Sequence, residues 1–356
     1  MSAWWYALIA IGALLVLLAG VAFAFVERVP DWDPKGKRIL ITGGSSGIGL
    51  ATAELLAKQG AAAIAILARD QRKIDDAVPL IRRAGASSGT QVFGVSADVS
   101  VQGPVQAGCE ESVALMGGID AVVCCAGASY PCLFLATAEA DFDRLMQVNY
   151  SGTVYVLKAV VPHLVRNGPR RGGRIMLVSS MAGLSGVAGY TAYSASKFAL
   201  RGLAEALHME LSGPHGIAVS VANPPDVNTP MLAKENEIKP KECLQISEGS
   251  GLFEASAIAN DMVSALRRWR FLVNSGLDGH MLSLIASGTS PAHSGLWGTL
   301  ELMSLGVLRV VSLAYRWNYN AIVQKVHAER VSGKVEDAGA LAFKKVHELG
   351  EAKRKE

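Results

Sequence analysis

The stretch Thr42-Gly43-Gly44-Ser45-Ser46-Gly47-Ile48-Gly49 constrains what this chain can fold into more than any other feature. It follows a short β-rich run at 38–42 and opens a helical pattern at 49–59. Glycines at such a junction allow a tight turn and let a ligand approach the backbone. The helix that starts there offers unpaired N–H groups and a partial positive charge to an anion. A glycine-rich stretch alone is a common accident. One lying between a strand and a helix fits the turn that cradles a dinucleotide pyrophosphate.

Up to about residue 275 the chain keeps alternating between these two patterns. Apolar runs at 62–68, 91–96, 121–126, 175–179 and 219–222 read as strands, and 71–84 reads as a second helix. Strands that are apolar throughout, separated by helices, predict a parallel sheet covered on both faces.

The second strand ends Ile66-Leu67-Ala68-Arg69. An NAD site usually places a carboxylate at this strand end, about 20 residues beyond the glycines, to hold the ribose hydroxyls. Here Ala68 is followed by Arg69 and then Lys73. Arginine and lysine pair with a 2′-phosphate that a carboxylate would repel, so NADPH is predicted. Two solvated surface cations are the alternative. Asp98 follows the third strand and suits either an adenine amino group or the N-cap of the next helix.

Tyr193 and Lys197 stand at i and i+4, on one face of a helix if 198–211 continues it. A phenol near pKa 10 is a poor acid or base at neutral pH, and a nearby ammonium lowers that value. The pair therefore suits general acid–base chemistry. Ser180 ends a strand thirteen residues upstream, where its hydroxyl can bond a carbonyl oxygen. Asn149 sits inside a predicted helix, where asparagine is disfavoured, which points to a role other than helix formation, with a solvated asparagine as the alternative.

Together these residues resemble the short-chain dehydrogenase/reductase family over roughly 36–275. The resemblance implies a Rossmann-type doubly wound sheet with Gly43, Ser45, Ser46, Gly47, Ile48, Gly49, Arg69, Lys73 and Asp98 around NADPH. It implies that Tyr193 protonates the forming alkoxide while hydride reaches the carbonyl carbon. Lys197 would hold the nicotinamide ribose and depress the tyrosine pKa. Ser180 would position the carbonyl, with Ser179 secondary, and Asn149 would hold a water relaying protons to Lys197. The family's Asn-Ala-Gly is Cys125-Ala126-Gly127 here, a departure beside the catalytic set.

Local strings narrow the resemblance: Asn223-Pro224-Pro225-Asp226, Thr229-Pro230, Glu235-Asn236, Lys239-Pro240 and 276–282. They are similar to a membrane-anchored branch acting on a sphingolipid ketone. The implied reaction is reduction of 3-ketosphinganine to sphinganine at the cytosolic face of the endoplasmic reticulum. A reductase of steroid or retinoid ketones, or a membrane-attached scaffold that keeps the fold without turnover, are the other readings. An intact Ser180/Tyr193/Lys197 set argues against the scaffold.

Composition supports contact with lipid. Half the residues are hydrophobic and only 18% are charged, against about 25% in ordinary soluble domains. Residues 4–26 carry no charge, are long enough to cross about 30 Å of hydrocarbon, and begin with Trp4-Trp5-Tyr6. With no basic residue before it, this stretch reads as an uncleaved anchor rather than a signal peptide. Arg28, Lys35, Lys37 and Arg38 follow it and place the main domain in the cytosol. The prolines of Pro30-Asp31-Trp32-Asp33-Pro34 predict a short linker.

A second apolar segment spans 276–331. Glu301 and Arg309 make a simple spanning helix costly, so a re-entrant or interface-lying segment is expected. A pair of short membrane helices and a buried extension of the domain are the alternatives. Residues 332–356 form a charged tail whose last four, Lys353-Arg354-Lys355-Glu356, resemble a dibasic retrieval signal. The predicted organisation is an anchor at 1–29, a reductase domain at 36–275, the second apolar segment and the tail. A net charge of +3 with no basic run argues against nucleic acid as a partner. Oligomeric state is left open, a homo-oligomer included. Cys109, Cys124, Cys125, Cys132 and Cys243 show no metal spacing and read as buried thiols in a reducing compartment.

Overall fold

The computed structural model describes residues 29–337 apart from 169–171, 250, 289 and 293, together with Leu341 and scattered positions among the first 28. The chain runs β1 (Arg38–Thr42), α1 (Gly47–Lys58), β2 (Ala63–Ala68), α2 (Gln71–Ala84), β3 (Gln91–Ser96), α3 (Gln102–Met116) and β4 (Ala121–Cys124). It continues with α4 (Glu139–Met146), a π-turn at Gln147–Ser151, α5 (Gly152–Arg166), β5 (Gly173–Val178), α6 (Thr191–His215) and β6 (Ile217–Asn223). Then follow β7 (Asp226–Asn228), α7 (Pro230–Asn236), α8 (Lys241–Glu248), β8 (Leu252–Glu254), α9 (Ala255–Arg267) and β9 (Leu272–Asn274). Two helices close the described chain, α10 (Gly276–Ala286) and α11 (Gly295–Val331).

Seven strands form one parallel sheet in the order β3-β2-β1-β4-β5-β6-β9. Strand order therefore reverses between β1 and β4, and a crevice opens at the carboxyl ends of those strands. Side chains alternate between the faces along each strand. Leu40, Val122 and Ile175 pack with Val105 of α3 and Val160 of α5 on one face. Ile39, Ile41, Val123 and Met176 pack with Leu56 of α1 and Met262 of α9 on the other. Each of these large side chains is essentially fully buried, which stabilises the fold by roughly 1.5–3 kcal/mol apiece. Burial on both faces explains why the strands read as unbroken apolar runs.

The crevice itself demands glycine. Gly43 has φ +68, and a Cβ there would lie 2.7 Å from the Ala126 nitrogen. A Cβ on Gly49 would strike the Gly43 carbonyl oxygen. The α1 N-terminus is thereby drawn tight against the end of β1.

Several expectations need correction. The strand predicted at 121–126 ends at Cys124, because Cys125 and Ala126 turn out along the crevice. The three-residue strands β7, β8 and β9 were not predicted; runs so short have no period to read. The supposed linker is docked: Trp32 is buried, its N–H donates to the Arg267 carbonyl at 2.8 Å, and buried Arg174 donates to the Pro30 carbonyl at 2.5 Å.

The predicted anchor falls mainly outside the described residues; the described Gly12, Ala13, Val16 and Leu17 are helical and exposed. The dibasic tail also lies outside them. The second apolar segment is neither a re-entrant loop nor buried. It is the 37-residue α11, unbroken past Tyr315, with α10 packed beside it through His280 against Trp297. Among the described residues α11 is the one helix long and apolar enough to cross a membrane. Val307, Val310 and Trp317 stand about 70% exposed on it.

Candidate active site

The crevice opens into a cavity of about 820 Å³. Its first end is lined by the glycine turn with Arg69, Lys73 and Asp98, its middle by Ser180, Tyr193 and Lys197, and its far end by α10 and α11. All the predicted cofactor-contact residues except Gly49 line this space, and of the predicted catalytic residues only Asn149 does not. Gly49 serves from beneath, by allowing the turn to close.

At the first end, α1 begins with Ser46 as a cap that makes no side-chain bond, and no acidic residue stands in its first turn. Its leading N–H groups are left for whatever occupies the cavity. Asp70 accepts from the Arg72 N–H at 3.0 Å and so caps α2. Arg69 is 80% exposed and lies 3.6 Å from Asp98. Asp98 accepts from the Ser100 N–H at 2.9 Å and its hydroxyl at 2.7 Å, which holds its carboxyl low despite partial burial. The alternative of Asp98 as a helix N-cap is incorrect, since Val101 occupies that position in α3.

In the middle, α6 carries Tyr193 and Lys197 one turn apart, facing the end of β5. Lys197 Nζ donates to the Val178 carbonyl at 2.9 Å, and Ser179 Oγ donates to the Lys197 carbonyl at 2.9 Å. These bonds stitch helix to strand. They also commit the Ser179 proton and leave Ser180 as the hydroxyl available to a ligand. Ser180 Oγ accepts from the Ala182 N–H at 3.1 Å, which leaves its own proton to donate toward the Tyr193 oxygen or a ligand.

The electrostatics differ from expectation. Burial pushes the Tyr193 phenol above its ordinary range, Glu235 adds to this, and Ser180 opposes it. Lys197 does not offset the rise, because its ammonium lies 5.7 Å from the ring centroid and is turned to Val178. Desolvation brings Lys197 itself down to about 8, with Cys125 and Glu235 pulling upward. Burial holds the Cys125 thiol up at about 11, so the residue that departs from the family pattern is a neutral neighbour.

Asn149 is buried in the π-turn between α4 and α5, a local widening that aims one side chain inward. Its amide donates to the Ala128 carbonyl at 2.9 Å and Ser196 Oγ at 2.8 Å, while Oδ1 accepts from the Ala128 N–H at 2.8 Å. Both amide protons are spent tying the end of β4 to α6. A Cβ on Gly127 would lie 3.1 Å from Oδ1 and 3.4 Å from Lys197 Nζ, so the missing side chain leaves a gap between them.

The sequence reading missed the wall beyond Tyr193. Tyr190 packs on Tyr193 with ring centroids 5.2 Å apart and donates to Glu235 Oε2 at 2.5 Å. Lys239 Nζ, fully buried, donates to Asp226 Oδ2 at 2.8 Å. Thr229 as N-cap and Pro230 after it signalled a helix, but nothing local showed that Glu235 faces Tyr190.

Residues 37–240 match the family described as short chain dehydrogenase. Over 334 residues the chain is 38% identical to a 3-dehydrosphinganine reductase of Danio rerio, covering 91% of this chain and 99% of the relative. A 3-ketodihydrosphingosine reductase of Bos taurus is 38% identical over 88% of this chain and 96% of its own. Among solved structures, a short chain dehydrogenase of Mycobacterium paratuberculosis bound to NAD superposes with a TM-score of 0.58 at 27% identity. The match covers 66% of this chain and 92% of that one.

Proposed function

The chain belongs to the short chain dehydrogenase family, and from that premise we propose that it reduces 3-ketosphinganine to sphinganine with NADPH. One observation carries the reading. A single cavity joins a phosphate-accepting helix start and two cations to Ser180, Tyr193 and Lys197, and ends at a helix with an exposed apolar surface.

The residues present fit the cofactor. Gly43 and Gly44 let the turn close against Ala126 and Ile66, and the uncapped start of α1 suits a pyrophosphate. Arg69 and Lys73 would take the 2′-phosphate, Asp98 would stand at the adenine end, and Lys197 would hold the nicotinamide ribose. When bound, the nicotinamide supplies the reducing equivalent to the ketone carbon.

The chain's own groups manage the oxygen. Ser180 Oγ donates to the ketone oxygen and fixes its direction. Tyr193 Oη, protonated throughout the neutral range, gives its proton to that oxygen as it becomes an alkoxide. The phenolate left behind has the Lys197 ammonium 5.7 Å from its ring centroid, a cation held in place by the Val178 carbonyl. Asn149 keeps Ser196 and hence α6 in register with β4. Its free Oδ1 lone pair faces the Gly127 gap, where a water would link it to Lys197.

This reading keeps the anchor at 1–29, the reductase domain at 36–275 and the tail at 332–356. It makes 276–331 both a membrane-associated segment and part of the site, because α10 and α11 line the cavity. A long-chain ketone partitions into lipid, so its reductase works at the bilayer; the charges after the anchor favour the cytosolic face of the endoplasmic reticulum.

The test is purified full-length protein in vesicles with NADPH and 3-ketosphinganine. NADPH oxidation with formation of sphinganine is expected, with NADH much poorer. Turnover of a steroid ketone with none of 3-ketosphinganine would transfer the assignment. Tyr193→Phe should lose turnover by about a hundredfold or more while still binding NADPH, as removal of a general acid does; retained activity would refute the role of Tyr193.

A further inference from the structure

Five carboxylates line the cavity: Asp70, Asp98, Asp226, Glu235 and Asp278. Asp70 caps α2, Asp98 faces Arg69, and Asp226 is paired with Lys239. Glu235 has no such cation. Among the described residues no lysine, arginine or histidine nitrogen lies within ion-pair distance of it; burial pushes its carboxyl up, against bonds from the neutral Tyr190 and Ser129 hydroxyls and the more distant Lys239 charge. Lys239, the nearest candidate, gives its ammonium to Asp226 and Ser247.

A half-buried carboxylate with no cation in contact is costly. At this place it also works against the chemistry, since it holds the Tyr193 phenol up. A ligand that brings a positive charge would relieve both effects. Asp278 also lines the cavity on α10, but its electrostatic neighbour is Tyr319 on the far wall. Glu235 bonds the hydroxyl of Tyr190, whose ring packs on Tyr193, and acts electrostatically on both Tyr193 and Lys197.

We infer that the Glu235 carboxylate binds the ammonium group on the carbon next to the substrate ketone, and so selects 2-amino ketones from other long-chain ketones. The inference rests on the reading of the chain as a reductase of a 3-keto sphingoid base. In that substrate, nitrogen, carbon and carbonyl repeat the N–Cα–C=O unit of a peptide, which puts the nitrogen about 3 Å from the ketone oxygen. Turned toward the Tyr190–Glu235 wall, a carbonyl held between Ser180 and Tyr193 would present its ammonium to Glu235. The cation also neutralises Glu235, so a correct substrate makes Tyr193 a better acid as it binds.

Three ketones of equal chain length discriminate: 3-ketosphinganine, its N-acetyl derivative and the 1-hydroxy-3-ketone without nitrogen. The wild-type enzyme should favour the amine in kcat/KM by at least about tenfold, the worth of one charge-assisted bond. Glu235→Gln should raise KM for the amine and collapse the preference to about threefold or less, whereas Glu235→Asp should keep most of it. NADPH affinity, read by fluorescence titration, should not move. A Glu235→Gln enzyme that keeps the preference overturns the inference. If that variant does not fold, equal kcat/KM of wild type for the amine and the nitrogen-free ketone overturns it instead, and a preference supports it. Failure of wild type to reduce any of the three would sink the underlying function, a different result from loss of discrimination.

Discussion

Lys197 is the residue on which pH should act. Its depressed value of about 8, against an ordinary 10.5, means that it carries its charge at neutral pH only at a cost on the order of 3 kcal/mol. Two consequences follow from the direction of this shift. In the proposed mechanism Tyr193 keeps its proton across the working range, so loss of the Lys197 charge would limit catalysis from the basic side. Ketone reduction should therefore fall as pH rises through about 8, measurable as the descending limb of kcat against pH. For stability the sign is opposite. Between about 8 and 10.5 the unfolded chain binds a proton that the folded one does not, so the lysine penalty is lost as pH rises. The melting temperature of wild type relative to Lys197→Met should climb from pH 7 to pH 10; a constant difference would contradict the shift. Neither effect is legible from the Tyr-x-x-x-Lys spacing, which predicted a lowered phenol and did not reveal how deeply both groups are buried.

At the scale of elements, α11 is held by its C-terminal end. Arg330 donates to both Glu242 oxygens on α8, at 2.8 Å and 2.5 Å, and to Asp337 at 2.7 Å. Glu242 and Arg330 are both buried, so removing one partner strands the other's charge. Lys241 and Glu329 add a second bond at 2.7 Å. From the other side, Arg201 of α6 donates to the Ser287 carbonyl at 2.9 Å and Ser290 Oγ at 3.0 Å. The helix of Tyr193 and Lys197 thus clasps the loop between α10 and α11. Arg330→Ala should cost about 3–5 kcal/mol locally, seen as faster proteolysis within α11 and a higher KM for the lipid ketone. Affinity for the proposed NADPH, whose site would lie near α1, should be unaffected. The strands up to β6 and the helices at 47–58, 71–84 and 191–215 were readable because long periodic runs report their own burial; α3 and α4 were not assigned, and β7, β8 and β9 were missed because neighbouring strands define them.

For the whole molecule, the exposed apolar side of α11 and the cavity it closes belong to one arrangement. Val311, Tyr315 and Tyr319 reach the cavity, while Val307, Val310 and Leu313 stand exposed. A contiguous apolar surface of this kind is covered by lipid or protein in working molecules. Replacing Val307, Val310 and Leu313 with aspartate should raise KM for vesicle-held 3-ketosphinganine severalfold, since a charge taken into the hydrocarbon costs about 2.5–3.5 kcal/mol. KM for NADPH and the thermal midpoint should stay as in wild type. An unchanged lipid KM would argue that the substrate reaches the cavity by another route.

What the amino-acid order determined by itself was local or periodic. The glycine turn between β1 and α1, the buried strands and the Tyr193/Lys197 pair are all written within a few residues of one another, where backbone geometry converts spacing directly into shape. What tertiary structure decided was convergence. Glu235 meets Tyr190 and Tyr193 across 42 or more positions of chain, Arg330 finds Glu242 across 88, and α11 returns to line a cavity begun at Gly43. Such meetings depend on how packed layers sum over the whole sheet, and no short window of sequence carries that sum.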